Sequence, residues 1–437
     1  MKELKGTARW QSYLGIKAFQ KNLKRKRLKA AKKSENSTNV YKSEALDSFV
    51  NHLINVPKIE KNKTLELIMP ENFSLIENPA KSLLILNQLA TVYRKNKIKN
   101  IVFHHENLSN IDLSAEVVLG FLAKEIRKEE RLKVKKTHAE GYYPADVESV
   151  RLIKTVGVIE NLGVTHENVD KDEISKMRLF KERSKGKGQL VNLTSSDHKE
   201  KTVYNFVEHI DQCLGDHDRQ LTLKAKQSLC DYMGEILTNA EDHSGWNNWN
   251  IVGYLDNNKD DHMCEITIYN FGKTIAETLM EIPETSYTHA EITPYIEAHA
   301  KKQFFKKSWQ KSDLLTLVAL QGHISSKNIT KQDDRGQGTV DLIGFFQKIH
   351  SECSSKSKSS AKMAILSGST HIYFDGKYKM SPDKTGRKVI AFNSENLLDE
   401  KPDEEYVTNL GELFFPGTII AIKFPMEISR QTEEVTQ

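Results

Sequence analysis

From Thr64 onward the apolar positions of this chain change period in a regular alternation. TLELIMP alternates as a half-buried strand does, and PAKSLLILNQLATVYRKNK spaces its apolar groups three and four apart, as one face of a helix does. IKNIVFHH is extended again, LSAEVVLGFLAKEIRKE predicts a helix, LKVKKT a strand, and ADVESVRLIKTVGVIENLG one further helix ending at Gly163. This rhythm predicts a parallel or mixed sheet covered by helices, an α/β domain over residues 61–163. Ahead of it, Leu46, Phe49, Val50, Leu53 and Ile54 fall at helical intervals. Residues 43–56 therefore predict a short amphipathic helix that closes an N-terminal region of residues 1–60.

Residues 164–200 turn polar and predict a linker. Gly186 and Gly188 in SKGKGQ lack the flanking strand and helix that a phosphate loop requires. Helices follow from about Lys201 to Cys213 and from about Leu221 to His243, then strands NIVGYLD and HMCEITIYNF. A second domain over 201–430 is completed by a long helical insertion at 273–335, a helix at about 338–350 and a Ser/Lys-rich loop. Four strands close it: AILSGS, THIYFDG, KVIAFN and GTIIAIKFP. The expected fold class is α/β, with α+β character in this second domain.

At 437 residues the chain is long enough for two or three domains, and 38% hydrophobic with 28% charged residues fits a soluble globular protein. Its longest apolar runs, such as VVLGFLA, fall far short of the roughly 20 residues that cross a bilayer, so no membrane and a cytoplasmic location are expected. Cys213, Cys230, Cys264 and Cys353 are scattered and form no CxxC pair, which points away from a disulfide framework or a zinc knuckle. Charge changes the picture more. Residues 1–33 hold twelve Lys or Arg against Glu3 alone, a net +11 within a chain of +5, so the remainder carries −6. Such an arm suits contact with a polyanion such as nucleic acid, and a solvated tail is the alternative.

The candidate chemistry lies in the second domain. EILTNAEDHS stacks Glu235, Asn239 and His243 on one helix face, because residues four apart share it. IYNFGKTI sets Asn270 and Gly272 at a strand end, and RGQGTV sets Gly336 and Gly338 directly before a helix, with Lys331 and Arg335 upstream. FFPGTIIAIKFP carries Gly417, Thr418 and Pro425. Singly, each reads as a solvated face or an ordinary turn; the ordered set does not.

Taken in order, these four boxes resemble the GHKL (Bergerat-fold, histidine-kinase-like) ATPases over residues 201–426. The E-x-x-x-N-A-x-x-H spacing is most similar to that of the anti-sigma-factor serine kinases. The resemblance implies a Bergerat α/β sandwich binding ATP and Mg²⁺, with the insertion at 273–335 as a lid. It implies Glu235 as the catalytic acid and Asn239 as the metal ligand. Nucleotide contacts would come from Asn239, Asp242, His243, Asn270, Gly272, Lys331, Arg335, Gly336, Gly338, Thr339 and Thr418. The residue types suit this chemistry: Mg²⁺ takes hard oxygen ligands, which one amide and three phosphates supply without a Walker lysine. Glycines before a helix let the backbone approach phosphates where free N–H groups point. One departure is Asn270, which stands where the family has its adenine-reading acid; an amide can both accept and donate there.

The first domain resembles a STAS domain in IKNIVFHHENLSNIDLSAEVVLGFLAKEI, with Ser114 near the family's acceptor serine. The D-S-S-G pattern is absent, and a helix-capping role for Ser109 or Ser114 is the reading preferred. Three functions stay open. One is a switch driven by ATP binding and slow hydrolysis that controls a protein partner, a second is a protein serine kinase, and a third is a binding module with structural ATP and nucleic acid on the arm. A homodimer is compatible with all three. His209 in VEHIDQ is a poor match to a histidine-kinase acceptor, and His104-His105 have no metal spacing.

Overall fold

The computed structural model describes residues 41–426 other than 57–58, 60–62, 131–136, 165–167, 185–194, 244, 246–247, 260–261, 323, 325–336 and 354–359. The basic arm at 1–33 lies outside the described residues. Ser43 caps α1 (Glu44–Ser48), accepting from the Leu46 N–H at 3.2 Å, and the helix stops well short of the 43–56 expected. The cause is α2 (Pro79–Lys95), introduced after strand β1 (Thr64–Ile68). Its buried Asn87 and Thr91 bond the backbone of Phe49 and Asn51, drawing the chain out of the helix and leaving Leu53 exposed.

Strand β1 pairs in parallel with β2 (Asn100–His104), and β2 with β3 (His138–Tyr142); α2 and α3 (Leu113–Glu130) make the crossovers. The third strand was expected at LKVKKT. Pairing falls instead on 138–142, all of them exposed, while 131–136 lie outside the described residues. The helix expected to end at Gly163 is two helices, α4 (Val147–Thr155) and α5 (Val158–Leu162). They break at Gly157, where the buried Glu116 of α3 presses on the backbone and accepts from the Val158 N–H at 2.8 Å. A Cβ at residue 157 would overlap that carboxylate.

Neither Ser109 nor Ser114 caps α3. The buried Asp112 does, accepting from the Ala115 N–H at 2.9 Å, and Ser114 donates to the same carboxylate at 2.6 Å. Ser114 is 1% exposed, so its hydroxyl cannot meet a kinase site unless α3 opens. Ser114→Ala is therefore expected to leave any phosphate incorporation unchanged while lowering stability by about 1–2 kcal/mol in urea unfolding.

The second principal sheet has seven antiparallel strands. Its edge, β4 (Met177–Arg183), falls inside the stretch read as a linker, which is corrected accordingly; only Met177 and Phe180 of this strand are buried, so its pattern is faint. The others are β5 (Asn250–Asp256), β6 (Met263–Phe271), β7 (Lys362–Gly368), β8 (Thr370–Phe374), β9 (Val407–Asn409) and β10 (Phe415–Pro425). The spatial order is β9-β8-β7-β10-β6-β5-β4. KVIAFN does not join this sheet: Lys388–Val389 pairs with Ser381–Pro382 in a small ribbon.

One face of the sheet carries α6 (Ser195–Gly215), α7 (Leu223–His243), α8 (Ile275–Met280), α9 (Tyr287–Lys301), α10 (Lys311–Val318) and α11 (Gln337–Cys353). The opposite face carries the first unit. The Phe121 ring of α3 lies 4.7 Å from Phe271, and Phe49 lies 5.6 Å from Phe271 and 5.5 Å from Phe415. Covered on both sides, β6 is buried at all nine residues.

The insertion expected to be a lid is, over 275–318, part of this core. Leu314, Leu315, Leu317 and Val318 are buried, and the buried Asp313 accepts from Thr370 Oγ1 at 2.7 Å and Asn409 Nδ2 at 2.8 Å. His299 joins Trp309 and the Leu398 carbonyl, each at 3.0 Å.

His371 of β8 is buried against the Leu75–Ile76 backbone of the first unit, and burial holds its imidazole down to about 4 from 6.5. At neutral pH both folded and unfolded chains carry it uncharged. As the pH falls from about 6.5 to about 4, the unfolded chain takes up a proton that the folded one excludes, so about 3 kcal/mol of stability is lost across that window. Urea midpoints at about pH 7 and pH 4.5 should show this drop in the wild type and a smaller one in His371→Phe.

Candidate functional site

The two sides of α7 do different things. Toward α6 and β5, Glu241 accepts from Trp249 Nε1 at 2.9 Å and Lys199 Nζ at 3.1 Å, a structural pairing. Toward the centre of the sheet, Ile236, Asn239 and Ala240 wall a cleft of about 930 Å³ counting its open mouth. Its other walls are Asn270 and Ile268 from β6, Thr418 and Ile420 from β10, residues 273–275 and 278–279, residues 319–320 and Ile324, and Thr339 at the start of α11. Asn239, Asn270, Thr339 and Thr418, chosen from separate stretches of sequence, thus meet in one cavity.

The strand end that holds Asn270 is shaped by a bulge. Thr418 stands opposite Asn270 in the register of β10 and β6, and pairing with β7 shifts between Phe415 and Thr418. Gly417 occupies φ +134°, and a Cβ there would strike the Asn270 carbonyl oxygen. Gly272, at φ +126°, turns the chain out of β6, and its N–H donates to the Pro416 carbonyl at 3.2 Å. Thr274 then caps α8 through a reciprocal pair with Glu277.

Behind these residues lies Ser367 of β7, which sequence reasoning missed. It donates to the Gly417 carbonyl at 3.0 Å, accepts from the Ile275 N–H at 2.9 Å and lies 2.9 Å from Thr418 Oγ1. Either hydroxyl can donate in this last contact; when the Ser367 hydrogen lies on Gly417, Thr418 donates to Ser367 and presents lone pairs to the cleft. The signal was available: Ser367 interrupts the apolar run AILSGS. Lys273, also missed, is the one charged side chain among the described lining residues; it pairs with the exposed Glu281.

Glu235 is half buried one turn before Asn239, outside the cleft wall proper. Gly338 is pressed against it: a Cβ at residue 338 would lie 2.6 Å from Glu235 Cδ. The N-terminus of α11 therefore abuts Glu235, and the next residue, Thr339, reaches the cleft. Among the described residues neither Glu235 nor Asn239 has a hydrogen-bond partner for its side chain, and the same holds for Asn270, which is 9% exposed. Lys331, Arg335 and Gly336 lie outside the described residues, as do the side chains of Asp242 and His243.

Among the described residues no group of three or more His, Cys, Asp or Glu is placed to hold a metal ion. The Asn239 side chain, whose amide oxygen is a hard donor, lines the cleft and has no hydrogen-bond partner among the described residues. No helix among the described residues is long and apolar enough to cross a membrane. Comparison of the chain with protein-family models, with curated proteins and with solved structures returns no match.

Proposed function

We propose that the chain is a GHKL-type ATP-binding protein that binds a magnesium purine nucleotide in this cleft and hydrolyses it slowly. The observation that carries the reading is the convergence of Asn239, Asn270, Thr339 and Thr418 on one cavity beside the Glu235–Gly338 contact. The base would lie on the apolar walls formed by Ile236, Ile268, Leu320 and Ile420, with its polar edge on Asn270 and Thr418. The phosphates would extend toward Thr339 and the N-terminal turn of α11, whose N–H groups favour anions. Asn239 would hold Mg²⁺, which when bound neutralises phosphate charge. Glu235, one helical turn away, would accept a proton from the attacking water.

The same strands suggest how occupancy reaches a partner. Asn270 and Thr418 face the cleft, while Phe271 and Phe415, their neighbours on β6 and β10, pack under Phe49 of the first unit. One layer of strand separates the cleft from the first unit, so a shift of the bulge at Gly417 would be felt on both sides.

Isothermal titration with ATP and Mg²⁺, followed by product analysis with γ-labelled ATP, tests the proposal. The expected result is binding with free phosphate released. Label on a protein hydroxyl would mean a serine kinase using the same pocket, and no heat of binding would overturn the reading.

A further inference from the structure

We infer that the cleft does not discriminate 6-amino from 6-oxo purines, so that GTP is a ligand alongside ATP; this rests on the nucleotide reading above. The deciding residue is Asn270. Asn270 is 9% exposed as a residue, lines the cleft, and its amide has no hydrogen-bond partner among the described residues, so nothing there fixes which way it points.

A primary amide offers an acceptor oxygen and a donor nitrogen of nearly the same size, exchanged by a half-turn about one bond. In one orientation it accepts from an exocyclic amino group and donates to the neighbouring ring nitrogen, which is the pattern of adenine. In the other it donates to an exocyclic oxygen and accepts from the neighbouring ring N–H, the pattern of guanine. A carboxylate in the same place only accepts: it meets the exocyclic amino group of adenine, whereas a guanine held in that same register sets its oxo group against a carboxylate oxygen.

The surroundings do not restore the choice. Thr418, opposite Asn270, presents lone pairs when the Ser367 hydrogen lies on Gly417, and both purine edges carry N–H groups able to meet them. The Ser367 hydroxyl is already engaged by Gly417, Ile275 and Thr418. The walls formed by Ile236, Ile268, Leu320 and Ile420 are apolar, and no carboxylate lines the cleft among the described residues. Sites select strongly between analogues only when a buried polar group of fixed sense is left unpaired by the wrong one. Here the buried group has no fixed sense.

The test is the ratio of dissociation constants for ATP and GTP, each titrated with Mg²⁺ into the full chain and into Asn270→Asp. Expected are wild-type constants within about tenfold of each other and a variant that loses GTP at least about tenfold more than ATP. A wild-type preference for ATP beyond about tenfold overturns the inference while leaving the nucleotide reading intact, and so does a variant whose ratio is unchanged. Failure of both nucleotides to bind overturns the two together. Should the variant not fold, the wild-type ratio decides alone.

Discussion

Under the proposed reading, Glu235→Gln is expected to slow nucleotide hydrolysis about 10³-fold while affinity for the magnesium nucleotide stays within about threefold of wild type. The substitution keeps the shape on which Gly338 packs and removes only the ability to accept a proton. A group acting in the transition state lowers kcat when removed, whereas one that merely holds the ligand raises KM. Steady-state phosphate release, read beside titration of the nucleotide, separates these outcomes. Unchanged hydrolysis would remove Glu235 from the chemistry. Loss of binding with kcat retained would make it a part of the pocket's frame, through its contact with the start of α11.

The second large effect is expected in the fold itself, at Gly417→Ala. The backbone there sits at φ +134°, a region closed to residues with a Cβ, and the added methyl would run into the carbonyl oxygen of Asn270 and the Cα of Phe271. Both atoms belong to β6, buried along its whole length, so neither can move without disturbing both cores. We expect a loss of at least about 4 kcal/mol in urea unfolding, the range reserved for core clashes and special backbone positions. Gly411→Ala supplies the comparison. It also has positive φ, +66°, but nothing within 4 Å of the added Cβ, and the loss should be about 1 kcal/mol.

Much of the architecture could be read from periodicity because its elements bury one side or both. NIVGYLD forms β5 over the same seven residues, and the 21-residue α7 starts within two residues of its expected position. What escaped were elements whose reasons lie elsewhere in the chain. The edge strand β4 shows a polar face because only one neighbour covers it, and α1 ends early because side chains on α2 take its backbone. The break at Gly157 is set by Glu116, some forty positions earlier.

The insertion at 273–335 misled for a related reason: a long helical stretch between strands suggests a cover, but Leu314–Val318 supply core. Within the cleft, spacing was enough to select Asn239, Asn270, Thr339 and Thr418. It could not show that Ser367, on a third strand, hydrogen-bonds the Thr418 hydroxyl, since that depends on register.

The central sheet is upholstered on both sides by parts of the chain that look separable in sequence. Cutting near residue 164 would leave Tyr269, Phe271 and Phe415 bare, aromatic side chains that Phe49 and Phe121 otherwise shelter. The C-terminal piece made alone should precipitate or self-associate, so the nucleotide experiments above need the intact polypeptide, and coexpressing the severed halves is the way to learn whether they find each other.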